Sequence, residues 1–251
     1  MNALESVSFP AKPWTGSQIK HLRKAMIDGQ DAIDGLSYED VSDWYMQVIG
    51  HIVNAIYEID TTSLGIPDLR ISSRVKTVGT LHDKLIRTPG MQIPNIHDIM
   101  GVRIACDMTL TEQDKLVSLL ADSLPVHQIL DIRISPHSGY RAVHVILKLS
   151  NGVFAEVQVR TLLQDLWANC YELAGDIFGR AIRYGGKPER DDMGLVKQLR
   201  EISDVLARIE SQEVNGTDTV LTKKREASIA AMKDLRGSLE QFQEYSARAL
   251  I

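Results

Sequence analysis

The sequence predicts an α/β fold of the α+β kind, a mixed or largely antiparallel sheet with helices packed on it, and three observations predict it. First, Val153 to Arg160 alternates strictly, with Val153, Ala155, Val157 and Val159 on one face and Glu156, Gln158 and Arg160 on the other. Second, Ile129 to Ile134 and Val143 to Leu149 repeat that alternation, and Asn151-Gly152 is a two-residue hairpin signal that makes the last two strands antiparallel neighbours. Third, apolar residues at helical spacing surround these strands.

Taken in order, residues 1 to 16 carry Pro10, Pro13 and Gly16 and read as an extended lead-in. Ser17 is expected to cap a helix with Ile19, Leu22, Ala25 and Met26 inside and Lys20, His21, Arg23 and Lys24 outside. Ser37 and Asp40 form a capping box for a longer helix through Val41, Tyr45, Val48, Ile49, Ile52, Val53 and Ile56. Asp98 to Cys106 reads as a junction into a strand, with Val102 and Ile104 opposite Arg103. Thr111 and Asp114 are expected to cap a helix carrying Leu116, Val117, Leu119, Leu120 and Leu124. In the strand after it, Asp131 and Arg133 oppose Leu130, Ile132 and Ile134, so that three strands are expected to turn polar groups toward one cleft. Leu163 to Ile177 marks a helix stopped near Gly179, and Leu195 to Ile209 a second. The pair Asn215-Gly216 separates that helix from a last one with Met232, Leu235, Leu239, Phe242 and Tyr245. The expected division is a catalytic unit over residues 1–190 and a helical extension over 191–251.

Composition narrows the classes. A chain of 251 residues, 44% hydrophobic, buries one sizeable core in one or two domains. A net charge of -5 argues against a basic nucleic-acid coat while leaving local basic patches open. Cys106 and Cys170 lack metal-ligand spacing, which suits ordinary buried thiols in a reduced, cytoplasmic protein. No run approaches a membrane span or a signal peptide, so a soluble, unprocessed protein with no membrane partner is expected.

The chemistry-bearing residues are ambiguous one at a time. Asp98 and Glu156 are the carboxylates to pair, since two such oxygens hold Mg2+ beside phosphates, although a lone Asp or Glu is more often a cap or a surface charge. Arg74, Lys76, Lys84 and Arg87 lie in one short stretch that suits a triphosphate, and equally a solvated helix face. Ser138-Gly139 leads into Tyr140, Arg141 and His144; a tyrosine there can stack on a base or simply pack, and a lone histidine is more often a satisfied core residue than a catalyst.

Together the pieces resemble the synthetase domain of the RelA/SpoT family, the pyrophosphokinases that make ppGpp and pppGpp. The resemblance runs from about Arg70 to Tyr184 and rests on five motifs in order: Arg74-x-Lys76, Lys84-x-x-Arg87, Asp98-x-x-Gly101-x-Arg103, Gly139-Tyr140-Arg141-x-x-His144 and Glu156-x-Gln158-x-Arg160-Thr161. It implies a nucleotidyltransferase-like mixed sheet flanked by helices, with additional N- and C-terminal helices. It also implies transfer of the β,γ-pyrophosphate of ATP to a 3′-hydroxyl. By the same resemblance Arg74, Lys76, Lys84, Arg87 and Arg103 hold ATP, and Asp98 and Glu156 carry Mg2+, with Glu156 also drawing the proton. Tyr140, Arg141, His144, Gln158 and Arg160 then serve the acceptor. Phosphoryl-type transfer needs in-line placement and charge neutralisation more than covalent chemistry, which these residue types supply.

The chain departs from housekeeping members, which follow the tryptophan-alanine pair with Glu-His and a lysine-rich turn. Here Trp167-Ala168 leads to Asn169-Cys170-Tyr171-Glu172-Leu173-Ala174, and later to Ile182-Arg183-Tyr184-Gly185. This form resembles the divergent single-domain group that includes toxic small alarmone synthetases, some of which modify the 3′ CCA end of tRNA and stop translation. The first 70 residues are expected to hold no hydrolase domain. The first expectation is therefore a toxic-type enzyme acting on tRNA, with Lys20, Arg23 and Lys24 meeting the phosphate backbone, if that face is more than an ordinary solvated one. The alternative is synthesis of ppGpp or pppGpp from GDP or GTP. A third reading, from another class, is a non-catalytic module that senses ATP. Toxicity implies an antitoxin, and the apolar stripes beyond Leu195 suit that partner, a second copy of the chain, or a cover over the site.

Overall fold

The computed structural model describes residues 4, 7–66, 69–189, 191–212 and 219–248. The elements run α1 (Gly16–Ile27), β1 (Ala32–Ile33), β2 (Leu36–Ser37), α2 (Tyr38–Tyr57), β3 (Arg70–Val75), α3 (Val78–Arg87), β4 (Met100–Cys106) and α4 (Leu110–Ser123). There follow β5 (Val126–Asp131), β6 (Val143–Lys148), β7 (Phe154–Thr161), α5 (Leu162–Phe178), α6 (Leu195–Gln212) and α7 (Thr219–Arg248), with a short 3-10 turn at Arg180–Tyr184. The Asn215-Gly216 break expected between the last two helices lies outside the described residues.

Five strands form the main sheet in the order β3-β4-β7-β6-β5. It is mixed: β4 and β7 are parallel, and every other pair is antiparallel. Asn151-Gly152 does join β6 to β7 as antiparallel neighbours, but through a three-residue loop rather than the expected two-residue turn: Leu149 N–H donates to the Val153 carbonyl at 2.9 Å, Gly152 N–H donates to the Leu149 carbonyl at 2.8 Å, and Gly152 alone takes positive φ, +81. Parallel pairing of β4 with β7 requires a crossover, and α4, β5 and β6 supply it.

One face of the sheet is apolar. Val102 and Ile104 of β4, Val143, Val145 and Leu147 of β6, and Ala155, Val157 and Val159 of β7 are all buried in one core with residues of α1, α2, α3 and α4. At about 1.5–3 kcal/mol for each fully buried Val, Leu or Ile side chain, this face drives the sheet onto its helices. A second core joins α5 to α6 and α7 through Leu163, Trp167, Cys170, Leu199, Leu206 and Met232. It therefore straddles residue 190, the expected division of the chain. Among the described residues no helix is long and apolar enough to cross a membrane, and Cys106 and Cys170 are buried free thiols.

Three local expectations are corrected. The helix starting at Gly16 is capped by Thr15 in a capping box with Gln18, not by Ser17, and α4 is capped by Thr109 with Glu112, not by Thr111 with Asp114. In each case a threonine two positions earlier, with a glutamine or glutamate three residues after it, takes the role. The strand read as Ile129 to Ile134 begins at Val126 and ends at Asp131, where the Asp131 carboxylate accepts from the Arg133 N–H at 3.0 Å and turns the chain. Register then puts Asp131 opposite Val143, on the apolar face. Arg133 donates to Gln113 at 2.9 Å and to Asp114 at 2.7 Å, both on α4. The third strand thus sends these charges away from the polar cleft.

Candidate active site

The other face of the sheet collects the polar residues, because cross-strand partners point to the same side. In register, Arg74 lies opposite Gly101, and Gly101 beside Glu156; Ser72 lies opposite Arg103, and Arg103 beside Gln158. On the far side of β7, His144 faces Gln158 and Ile146 faces Glu156. A groove of about 210 Å3 opens here, lined by Ser72, Arg74, Gly101, Arg103, Gln158 and Glu172. Gly101 keeps its floor low: a Cβ there would meet no atom closer than the Arg74 carbonyl oxygen at 3.9 Å, so it would project into the groove.

At the centre, five side chains close a hydrogen-bonded ring. Glu156 Oε2 lies 3.1 Å from His144 Nδ1, and His144 Nε2 lies 2.8 Å from the Tyr140 hydroxyl. Arg160 Nη2 donates to that hydroxyl at 3.0 Å and to Gln158 Oε1 at 2.7 Å, and Gln158 Nε2 donates to Glu156 Oε1 at 2.6 Å. A proton on His144 Nδ1 facing Glu156, with the Tyr140 hydroxyl donating to Nε2, gives every member of the ring a partner. Burial pushes the Tyr140 phenol upward against the pull of Arg160, so it keeps its proton at neutral pH. Burial also pushes Glu156 upward, but the bonds from His144 and Gln158 prevail and hold it below the usual carboxylate range.

Arg160 is the least exposed member, at 2%. Its charge is matched by Asp165 Oδ1 at 3.2 Å, and its guanidinium sits 5.1 Å from the Tyr140 ring centre. Arg103 is held from the same helix, by Asn169 Oδ1 at 3.0 Å and Glu172 Oε1 at 3.6 Å. Asp165, Asn169 and Glu172 recur at helical spacing as a polar stripe on the otherwise apolar α5. That stripe is the signal that finds them in the sequence, where only the apolar side was read.

A second charged group borders the ring. Asp98 Oδ2 takes Lys76 Nζ at 2.8 Å, and Lys84 Nζ lies 3.4 Å from Oδ1. Burial raises this carboxyl, yet the two ammonium groups outweigh it and leave Asp98 below its ordinary value. Asp98 Oδ1 is buried and has no hydrogen bond, and the Asp98 charge acts on Glu156. A buried carboxylate oxygen with a spare lone pair, close to a second carboxylate, fits Mg2+, which takes one or two carboxylates and completes its shell with water and phosphate oxygens. Among the described residues no set of three ligating side chains converges, so an ion here would take Asp98 and Glu156 as its protein ligands.

Residues 73–173 match the model of the region found in RelA/SpoT proteins. Over 198 residues the chain is 41% identical to the uncharacterized protein Rv1366 of Mycobacterium tuberculosis, covering 77% of this chain and 71% of that one. The chain belongs to the RelA/SpoT family. A further family relative, GTP pyrophosphokinase YwaC of Bacillus subtilis, is 33% identical over 126 residues, 42% of this chain and 59% of that protein. The fold is that of small alarmone synthetase 1 from Bacillus subtilis, solved bound to its product pppGpp, with a TM-score of 0.54 and 23% identity over 70% of this chain and 94% of that one. The protein is a RelA/SpoT-type pyrophosphotransferase.

Of the residues singled out in the sequence, the fold brings Asp98, Lys76 and Lys84 together, sets Arg74 and Arg103 on the groove, and closes Glu156, Gln158, Arg160, Tyr140 and His144 into the ring. Arg87 lies at the edge, its guanidinium 3.8 Å above the ring of Tyr184. Two residues are placed elsewhere. Arg141 points away from the ring and bonds to Ser203 and Asp204 of α6, because its neighbour Tyr140 takes the inward direction. Arg23 donates to the Met91 carbonyl at 2.6 Å, tying α1 to the loop after α3, so the basic face of α1 is reduced to Lys20 and Lys24.

Proposed function

We propose that this pyrophosphotransferase moves the β,γ-pyrophosphate of ATP to the 3′-hydroxyl of a guanine nucleotide, GDP or GTP, releasing AMP. The observation that carries the reading is the closed ring, which fixes an ionised Glu156 between the cation-lined groove and Tyr140. Arg74 and Arg103 line the donor side as planar guanidinium groups suited to a purine or a phosphate, and Lys76, Lys84 and Arg87 neutralise the triphosphate. Mg2+ held by Asp98 and Glu156 neutralises phosphate charge when bound.

The 3′-oxygen attacks the β-phosphorus, the bond from that phosphorus to the α,β-bridging oxygen breaks, and AMP leaves with the electron pair. Glu156 receives the hydroxyl proton in passing, since its lowered pKa makes it a poor store for it, and passes it to solvent. The Nδ1–H of His144 and the amide of Gln158 hold the Glu156 oxygens in place throughout. Tyr140 and Arg160 meet the acceptor, and either must yield part of its bond in the ring to do so.

A guanine nucleotide as acceptor is supported by the relatives named GTP pyrophosphokinase and by the diversion of Arg23 to a backbone carbonyl, which thins the surface that tRNA requires. A second reading, a toxic enzyme that modifies the tRNA 3′ end and is held by an antitoxin, is favoured by the exposure of Lys20 and Lys24 on α1, which packs beside α3 and its Lys84 and Arg87. One assay separates them: γ-labelled ATP and Mg2+ with GDP, GTP or deacylated tRNA in parallel. Label on guanine nucleotides is the expected result. Label on tRNA alone overturns the acceptor assignment, and ATP binding with no label on any acceptor makes the protein a sensor.

A further inference from the structure

Helix α6 lies outside the family match, yet it grips the turn that presents Tyr140. The turn takes the left-handed region twice, at Ser138 with φ 55 and at Gly139 with φ +90, which costs energy at Ser138 and is open to Gly139 because it has no side chain. A Cβ on Gly139 would sit 2.8 Å from the Trp167 ring and 3.2 Å from Ser203 Cβ, so the backbone itself packs into the seam between α5 and α6. Ser203, buried on α6, donates its hydroxyl hydrogen to the Gly139 carbonyl and accepts from Arg141 Nη1. Arg141 Nη2 reaches Asp204 at 2.8 Å, and Trp167 Nε1 donates to the Leu199 carbonyl at 2.7 Å. At the other end of α6, buried Glu210 accepts from Thr161, the N-cap of α5 and the residue after Arg160. Thus α6 touches the residue before Tyr140, the residue after it and the residue after Arg160.

We propose that α6 sets the affinity for the acceptor, with Ser203 as the positioning residue that acts through the Gly139 carbonyl on Tyr140. The physical reason is that the Tyr140 hydroxyl is held by His144 and Arg160 and its backbone N–H by the His137 carbonyl at 3.0 Å, so its ring plane also depends on the turn that enters it. The turn closes on one backbone bond of its own, Tyr140 N–H to the His137 carbonyl, and carries the cost of a left-handed Ser138, so the bonds from α6 add to what holds it. A regulator or a second subunit that shifted α6 would therefore change acceptor use without touching the cleft.

The inference rests on the reading that Tyr140 meets the acceptor, and the test keeps the two apart. Ser203→Ala is expected to raise the acceptor KM about tenfold, the scale of one lost hydrogen bond to a buried carbonyl, with the ATP KM and kcat within about twofold. In a Tyr140→Ala background, Ser203→Ala is expected to have no further effect on the acceptor KM, because the path between them is cut. An unchanged acceptor KM in Ser203→Ala, beside a raised one in Tyr140→Ala, overturns the role of α6 alone. An unchanged acceptor KM in Tyr140→Ala overturns the reading of the acceptor site beneath it. Equal losses on ATP and acceptor, or full additivity in the double variant, show a general structural effect and also overturn the proposal. Asp204→Asn, which weakens the same grip from the surface, gives a milder shift in the same direction and serves if Ser203→Ala does not fold.

Discussion

Replacing Glu156 with glutamine tests the centre of the ring and separates its two duties. The carboxylate accepts from His144 Nδ1 at 3.1 Å and from Gln158 Nε2 at 2.6 Å, and it is 8% exposed. A glutamine amide keeps one acceptor oxygen and turns an N–H2 toward the other donor, so one bond to a charged group, about 1.5–3 kcal/mol, is lost. Burial of a charge opposed the native carboxylate, and the neutral amide is relieved of that opposition. The balance is a loss of about 1–2 kcal/mol, or roughly 2–8 °C in Tm for a chain of this length. Catalysis has no such offset. Loss of the base alone is worth about 10²–10⁴-fold and loss of a ligand charge adds to it, so kcat is expected to fall at least about 10³-fold. The assay is transfer of label from γ-labelled ATP, paired with thermal unfolding of the same preparation. A Glu156→Gln protein that melts near the parent and turns over within about tenfold of it refutes the assignment of Glu156 to the reacting atoms.

Other outcomes follow from the same geometry. Asp98 and Glu156 both have lowered folded-state pKa values, so the stability they contribute is complete above the unfolded carboxylate value of about 4 and is lost as pH falls through the folded values; urea midpoints below pH 4 should fall more steeply in the parent than in Asp98→Asn. Gly139→Ala, with φ +90 and a Cβ 2.8 Å from Trp167, is expected to cost at least about 1–3 kcal/mol, measured by denaturant unfolding. Tyr184→Ala frees the Arg87 guanidinium from a contact of about 0.5–1 kcal/mol and should raise the ATP KM about 2–5-fold; an unchanged KM removes Tyr184 from donor binding. Reversing Lys20 and Lys24 to glutamate leaves guanine-nucleotide kinetics unchanged, and a fall in tRNA labelling in the same variant would support the tRNA reading.

The alternation of β7 and the presence of a hairpin at Asn151-Gly152 were legible because both are short-range, whereas the length of that loop, three residues and not two, was not. The same holds for the ordered motifs that mark the family and for the capping box at Ser37. Cap positions missed by two residues, and β5 drifting three residues late, reflect competition between adjacent hydroxyl or alternating residues that local pattern cannot resolve.

What the sequence determined by itself was the kind of fold, the family and the row of Glu156, Gln158 and Arg160 with the valines behind it. Only the tertiary structure decided which polar residues share that row's space. Parallel pairing of β4 with β7 brings Arg103 beside Gln158, while the early end of β5 sends Arg133 to α4 and leaves Asp131 opposite Val143 on the apolar face. Tyr140 turns inward to the ring as Arg141 turns outward to α6, although the two are adjacent in the chain. The physical reason is that side-chain direction depends on register and on what packs across from it, and both are set by residues far away in sequence.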